Sequence, residues 1–280
     1  PGAMRYTMNT NAAAARRTLK YLKSNEFSKN TINSYEYAVR LFEKKYFIWS
    51  KNNVLLFKNY LIEHYKPKTV NLRLQAINNY LDFIGKSKYK VSQVKIQQKT
   101  YLENVISNAD YEFLKKMLMK DKNYKWYFII RFLAATGARI SEILKLKFEH
   151  IEIGYFDIYT KSGKIRRIYI PKALQIDYMN YCKSIDKITN YVFLNRNNKL
   201  FTGRGIAKGL KKIAKIYGID EKVVYPHSFR HLFAKNFINK YNDISLLADL
   251  MGHDSIETTR IYLRKTNEEQ MMIINNVVVW

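Results

Sequence analysis

Four side chains near one end of the chain, His227, Arg230, His253 and Tyr262, fall within residues 225–263, YPHSFRHLFAKNFINKYNDISLLADLMGHDSIETTRIYL. Breaking a phosphodiester by transesterification needs an oxygen nucleophile, cationic donors for the non-bridging oxygens and an acid for the departing sugar oxygen. This stretch offers a candidate for each role. His227 and Arg230 are three apart, so on a helix they project from one side while Phe229, Leu232 and Phe233 turn to a core. His253 follows Gly252, beyond the apolar series Ile244, Leu247, Ala248 and Met251, where glycine commonly stops a helix. Ser255 then offers an N-cap to a helix carrying Thr258, Thr259, Ile261 and Tyr262. Tyr262 is one of 23 tyrosines, so its position rather than its type singles it out.

Further cations lie upstream. Arg139 stands in Thr136-Gly137-Ala138-Arg139, a small bend before a helix that would let the backbone approach a ligand closely. Like Arg230 it offers a planar fork of donors to phosphate oxygens, which a lysine cannot copy. Taken alone, either arginine reads better as half of an ion pair, for instance Arg139 with Glu142 three residues on. Residues 155–160 and 165–171 alternate as two strands around Lys161-Ser162-Gly163-Lys164 and predict a β-hairpin. Lys161, Lys164, Arg166 and Arg167 would make its tip a basic finger able to enter a groove, or else a solvated turn.

The elements that must hold these groups are mostly helical. The first hundred residues show helical patterning punctuated by Pro67 and Gly85. One helix starts near Asn30 with Ile32, Tyr35, Val39 and Phe42 on one face; another starts at Pro67 and carries Val70, Leu74, Ile77 and Leu81. Lys66, Lys68, Thr69, Asn71 and Arg73 crowd the start of the second helix, where free N–H groups and the dipole favour phosphate. A solvated polar face is the competing reading. Residues 88–100 (KYKVSQVKIQQKT) are polar and basic and read as an extended linker, giving a first domain over 1–97, a linker over 98–107 and a second domain over 108–280. Helical periodicity resumes near Asn108, gives way to the hairpin and a short strand at 191–195 (YVFLN), and returns from Gly203 to about Asn276. The fold class is thus mainly α with a small antiparallel hairpin in the second domain.

Forty-nine Lys and Arg against 23 Asp and Glu give a formal charge of +26 over 280 residues, which would be self-repelling without a polyanionic partner. Eighteen basic and five acidic residues precede Gln98, and 31 and 18 follow, so each part carries +13. Charge shared by two patterned segments points to nucleic acid bound by both rather than to a tethering tail. The single cysteine, Cys182, excludes a disulfide framework or a cysteine metal site. The longest apolar run, 126–135, is broken by Arg131 and is far short of a membrane span, so a soluble cytoplasmic protein is expected. Residues 1–3 read as a cleavage scar before Met4.

In order, TGARISEILKL, TKSGKIRRIYIP, HSFRH, LADLMGH and IETTRIYL, with the last tyrosine nine residues after the histidine of LMGH, resemble the tyrosine recombinase (phage integrase) family. The resemblance covers nearly the whole chain and is closest to the two-domain form of Xer-type, Cre-like and invertase enzymes. It implies site-specific recombination of duplex DNA through a 3′-phosphotyrosyl intermediate, with Tyr262 as nucleophile and Arg139 and Arg230 as the clamp on the scissile phosphate. It further implies Lys161 as general acid, with Lys164 as the alternative, His227 and His253 as hydrogen-bonding and proton-transfer groups, and Glu142 as a carboxylate orienting its neighbours. The first domain would be the helical core-binding domain, closing with the catalytic domain as a C-shaped clamp on DNA carrying inverted-repeat sites. Protomers would pair on each site and form a tetramer in synapsis, with 271–280 (MMIINNVVVW) exchanged between them or docked in their own core. Neither metal nor ATP is implied. Type IB topoisomerase action, or DNA binding without cleavage, are the alternatives.

Overall fold

The computed structural model describes residues 27–96, 104–159, 165–185, 189–195, 197–253, 255–263 and 267–278. The chain divides into two compact units, Pro1–Gln98 and Lys99–Trp280.

In the first unit, Ser28 caps α1 (Lys29–Lys45) by accepting from the N–H of Thr31 at 3.2 Å, and Ser50 caps α2 (Lys51–His64) through Asn53 at 3.2 Å. Pro67 opens α3 (Pro67–Phe83) at a position where its missing N–H costs nothing. The faces expected from spacing are the buried ones: Tyr35, Val39 and Phe42 of α1, and Val70, Leu74, Ile77 and Leu81 of α3. Phe42 stacks on Trp49 at 4.0 Å and meets Phe57 edge-on at 5.2 Å, anchoring the three helices on one core.

The linker expected from residue 88 onward is corrected here. A 3-10 turn, Ser87–Tyr89, follows α3, and residues 90–96 then lie along α3 instead of leaving the unit. Asn78 accepts from Val91 N at 3.1 Å and donates to Val91 O at 2.8 Å; Asn71, two helical turns earlier, does the same for Val94 at 2.8 and 2.9 Å. The amides imitate the edge of a strand, and Val91 is buried by the docking. A polar composition suggested solvent, but paired asparagine amides satisfy the backbone as water would.

In the second unit, Ser107 caps α4 (Asn108–Lys120), and α5 (Tyr124–Thr136) ends at Gly137 in the left-handed conformation. Short helices α6 (Ile140–Ile143) and α7 (Phe148–Ile153) lead into β1 (Tyr155–Tyr159) and β2 (Ile165–Tyr169). The strands pair antiparallel, Tyr155 opposite Tyr169 and Tyr159 opposite Ile165. Next come α8 (Lys172–Ser184), α9 (Gly203–Ile216), α10 (Pro226–Tyr241), α11 (Ile244–Met251) and α12 (Ile256–Thr259). A 3-10 turn, Arg260–Leu263, carries Tyr262, and α13 (Asn267–Val277) follows. The core joins Phe132 and Leu133 of α5, Ile168 of β2, Leu210 of α9 and Phe229 of α10. Ser228, fully buried, accepts from Ile106 N at 2.7 Å and ties the entry of the unit to α10.

The strand expected at 191–195 does not join the sheet. Tyr191 and Leu194 make isolated bridges to Lys147 and Leu200, and the Asn195 side chain closes a turn by accepting from the N–H groups of Asn197 and Lys199. Its alternating pattern is short enough to be satisfied by loops. Among the described residues no helix is long and apolar enough to cross a membrane.

Candidate active site

α10 lies through the middle of the second unit with Phe229 and Leu232 buried, as the spacing required. Arg230 is only 3% exposed, so its charge lies inside the protein. It donates to Gly137 O and, at 2.6 Å, to Met251 O. Arg139, at the N-terminus of α6, donates to Gly252 O at 2.9 Å. Arg166, from β2, donates through Nε to Leu250 O at 2.9 Å. Three guanidinium groups from three elements therefore meet three successive carbonyls at the C-terminus of α11. Those carbonyls have no partner within their helix and carry its negative dipole end, so cations are the groups suited to them.

Two glycines make this convergence possible. Gly252 has φ of +60°, and a Cβ there would stand 2.3 Å from Cδ of Arg166. Gly137, also at +60°, would place a Cβ 2.4 Å from the Phe233 ring. The Gly137 bend was expected to admit a ligand; it admits Phe233 instead, and its carbonyl receives Arg230. Glu142 fixes the other side of the cluster. Its carboxylate accepts from Arg139 N at 2.6 Å, from Arg139 Nη1 at 3.1 Å and from Arg166 Nη1 at 2.9 and 3.0 Å. The ion pair with Arg139 and a place in the cluster are thus both true of the same residues.

Burial, then the charges of Arg139 and Arg166, push Arg230 down to about 10, so it stays charged at neutral pH. His253 is held at about 4 by burial and by Arg230, Arg139 and Arg166. Its Nε2 lies 3.1 Å from Arg230 Nη2, and since arginine only donates, that nitrogen accepts. The ring proton then sits on Nδ1 and is donated to Oγ1 of buried Thr259 at 2.8 Å. The same ring stacks on Tyr262, 6.3 Å between centroids and 9° between planes. Tyr262 is 6% exposed; burial raises its phenol and Arg230 pulls it partly back.

The structure therefore brings Arg139, Arg230, His253, Tyr262 and Glu142 together. His227 sits at the exposed start of α10, its ring 6.3 Å from that of His231. Lys161 and Lys164 lie outside the described residues. Arg166 was expected to reach DNA from the hairpin; it is 7% exposed and directed inward, because β2 alternates sides and its even positions, Arg166 and Ile168, are buried. Arg167 faces out, paired with Asp157 at 2.9 Å. In the first unit Lys66 and Lys68 are exposed and Thr69 half-buried at the start of α3. Asn71 is committed to Val94, and the Arg73 guanidinium lies over the rings of Tyr37 and Tyr65, 4.6 and 3.9 Å from their centroids. Both side chains are thus engaged within their own unit.

Sequence reasoning passed over His231. Its Nδ1 is 3.0 Å from the hydroxyl of Tyr262, and burial, then His227 and Arg230, hold its pKa at about 4. The signal was present, since His227 and His231 are four apart on one helix and so share a face.

The sequence pattern described as the phage integrase family matches residues 100–269. Tyrosine recombinase XerA of Pyrococcus furiosus is 30% identical over 255 residues, 88% of this chain and 87% of that protein. Tyrosine recombinase XerD of Listeria innocua is 35% identical over 147 residues, 49% of each. Among solved structures, the Tn1549 transposon integrase in complex with circular intermediate DNA is similar at a TM-score of 0.73 and 20% identity, over 95% of this chain and 99% of that one. That last likeness concerns the fold. With the family pattern spanning more than half of the sequence and a relative at 30% identity along most of it, the chain belongs to the phage integrase family of tyrosine recombinases.

Proposed function

We propose that the chain is a site-specific DNA recombinase in which the Tyr262 oxygen attacks a scissile phosphate, forms a 3′-phosphotyrosyl bond and releases a 5′-hydroxyl. The observation that carries this reading is the convergence of Arg139, Arg166 and Arg230 on one turn, with His253 stacked on Tyr262. Three guanidiniums against the single carboxylate of Glu142 leave two positive charges, which suits the dianionic pentavalent arrangement reached during attack. Arg139 and Arg230 hold the phosphate; Glu142, itself braced by Arg166, holds Arg139. Lys161, or Lys164, protonates the departing oxygen. Because the phosphotyrosyl bond keeps the energy of the phosphodiester, the reaction needs no metal or nucleotide.

The wider assembly belongs to the same reading. Lys66 and Lys68 of the core-binding domain reach the backbone of duplex DNA, and both domains bind it at inverted-repeat core sites. Met271, Met272, Ile274 and Val277 of α13 are all more than half exposed, and this apolar helix docks on a neighbouring protomer, pairing subunits on each site and joining four in synapsis. The test is incubation with a pool of nicked duplexes of randomised core sequence, with recovery of DNA held on protein in denaturant. Recovered sequences should converge on inverted repeats, and two such sites should recombine in the presence of chelator. Adducts without sequence convergence would favour relaxation of DNA by a topoisomerase-like enzyme, and no adduct with any duplex would defeat the reading.

A further inference from the structure

The proton of the attacking phenol needs a destination, and the two histidines implied by resemblance do not provide one in this structure. Both ring nitrogens of His253 are engaged, Nε2 by Arg230 and Nδ1 by Thr259. His227 is exposed at the start of α10, and its ring neighbours that of His231. Among the described residues, His231 supplies the proton-accepting nitrogen at the Tyr262 hydroxyl, Nδ1 at 3.0 Å, with ring centroids 5.5 Å apart. Its place is fixed by covalent neighbourhood: it follows Arg230 on a helix whose next residue, Leu232, is buried in the core.

We infer that His231 is a further catalytic residue, the proton acceptor for Tyr262 in strand cleavage and the donor that restores the phenol in strand joining. The inference rests on the proposed recombinase reading and assigns one of its steps. As the Tyr262 oxygen bonds to phosphorus, its proton passes to Nδ1 of His231 along the existing hydrogen bond. The bond from phosphorus to the 5′-oxygen breaks, and that oxygen takes its proton from a separate acid. In joining, a 5′-hydroxyl attacks, the phosphotyrosyl bond breaks and Nδ1 returns the proton to the departing phenolate. Atoms and protons balance without another reactant.

The direction of the hydrogen bond follows from the surroundings. Arg230 also acts on the Tyr262 oxygen and has donors only, which leaves the phenolic proton for His231. The groups facing His231 are His227 and Arg230 on its own helix, Tyr262 on the 3-10 turn and His253 on the loop after α11. Burial, then His227 and Arg230, keep the imidazole neutral, which is the form that can accept. They also make it a weak base until an anion enters. A bound phosphate offsets Arg230 and raises the basicity of His231 when the nucleophile is to be used, so DNA-free protein keeps Tyr262 protonated.

The experiment compares the unaltered chain, His231→Ala and His231→Gln on the nicked duplex recovered by covalent capture, scoring DNA binding by gel shift and adduct formation by denaturing gel across pH. Both variants should bind the duplex as before. Adduct formation should fall by about 10²- to 10³-fold at neutral pH, the range of one general base. Toward alkaline pH the residual rate should climb about tenfold per pH unit as hydroxide takes over. Added imidazole should restore His231→Ala in proportion to its free-base fraction, which a merely structural loss would not show. Unchanged rates and pH profiles in the variants would overturn the inference while leaving the recombinase reading intact. A DNA-free measurement stands beside it: nitrogen-15 NMR should show His231 with Nδ1 unprotonated at neutral pH, and its resonance should move in Tyr262→Phe. A proton on Nδ1 would overturn the assignment even if no duplex yields an adduct.

Discussion

Arg166 extends from the β-hairpin to set its Nη1 2.9 and 3.0 Å from the two carboxylate oxygens of Glu142, with both side chains nearly shut off from water. The pair is the joint between hairpin and arginine cluster, because the same carboxylate accepts from Arg139 and the same guanidinium reaches Leu250 O. Removing one partner of a buried pair strands the other, at a cost of about 3–5 kcal/mol. Glu142→Ala is expected to lose stability of that order in urea unfolding. Arg166→Met, which leaves Glu142 its contacts with Arg139, should lose less.

Gly252→Ala tests the turn rather than the pair. An alanine Cβ would stand 2.3 Å from Arg166 Cδ at a φ of +60°, so the arginine must shift as well as the backbone strain. Loss of about 1–3 kcal/mol is expected from strain of this kind. Adduct formation should fall further than stability alone explains, since the carbonyl of Gly252 also positions Arg139. Wild-type adduct formation in this variant would mean that the turn does not position the cluster.

The motifs that could do chemistry were legible because each pairs a residue type with a helical offset, and helix geometry turns offset into shared direction. His227 with Arg230, and Arg139 with Glu142, were visible on that basis. Arg166 was misjudged because basic residues around a hairpin tip look alike in sequence, whereas strand alternation sends Arg166 inward and Arg167 outward. Asn71 and Arg73 were ambiguous for a similar reason: amides and guanidiniums suited to phosphate are also suited to a backbone edge or a tyrosine face. His231 shares a helix face with His227, which was legible, but its contact with Tyr262, 31 residues on, is long-range and not encoded locally.

The docked segment after α3 carries its own prediction. Asn78→Ala removes a partner from both the N–H and the C=O of Val91, at about 1–3 kcal/mol for the groups left unsatisfied. Proteolysis between residues 90 and 96 should accelerate in Asn78→Ala and more in the double variant with Asn71→Ala. Equal cleavage rates would mean that the amides do not hold the segment.

Stability should depend on acid in a defined direction. His231 and His253 stand at about 4 in the folded chain, while an unfolded histidine titrates at about 6.5. Between those values the unfolded chain binds protons that the folded one refuses, so stability is full above the upper value and falls as pH drops toward 4. The thermal midpoint should decline through this window, and less steeply in His231→Gln. A midpoint independent of pH there would contradict the buried neutral state of both rings.

The central claim is that Tyr262, of the 23 tyrosines in the chain, becomes bonded to DNA. The most direct measurement is mass spectrometry of the protein after it has been trapped on a nicked duplex, digested with nuclease and cut into peptides. A residual nucleotide is expected on the peptide containing Tyr262, and no trapped protein from Tyr262→Phe. A nucleotide on any other residue, or a persistent adduct from Tyr262→Phe, would contradict it.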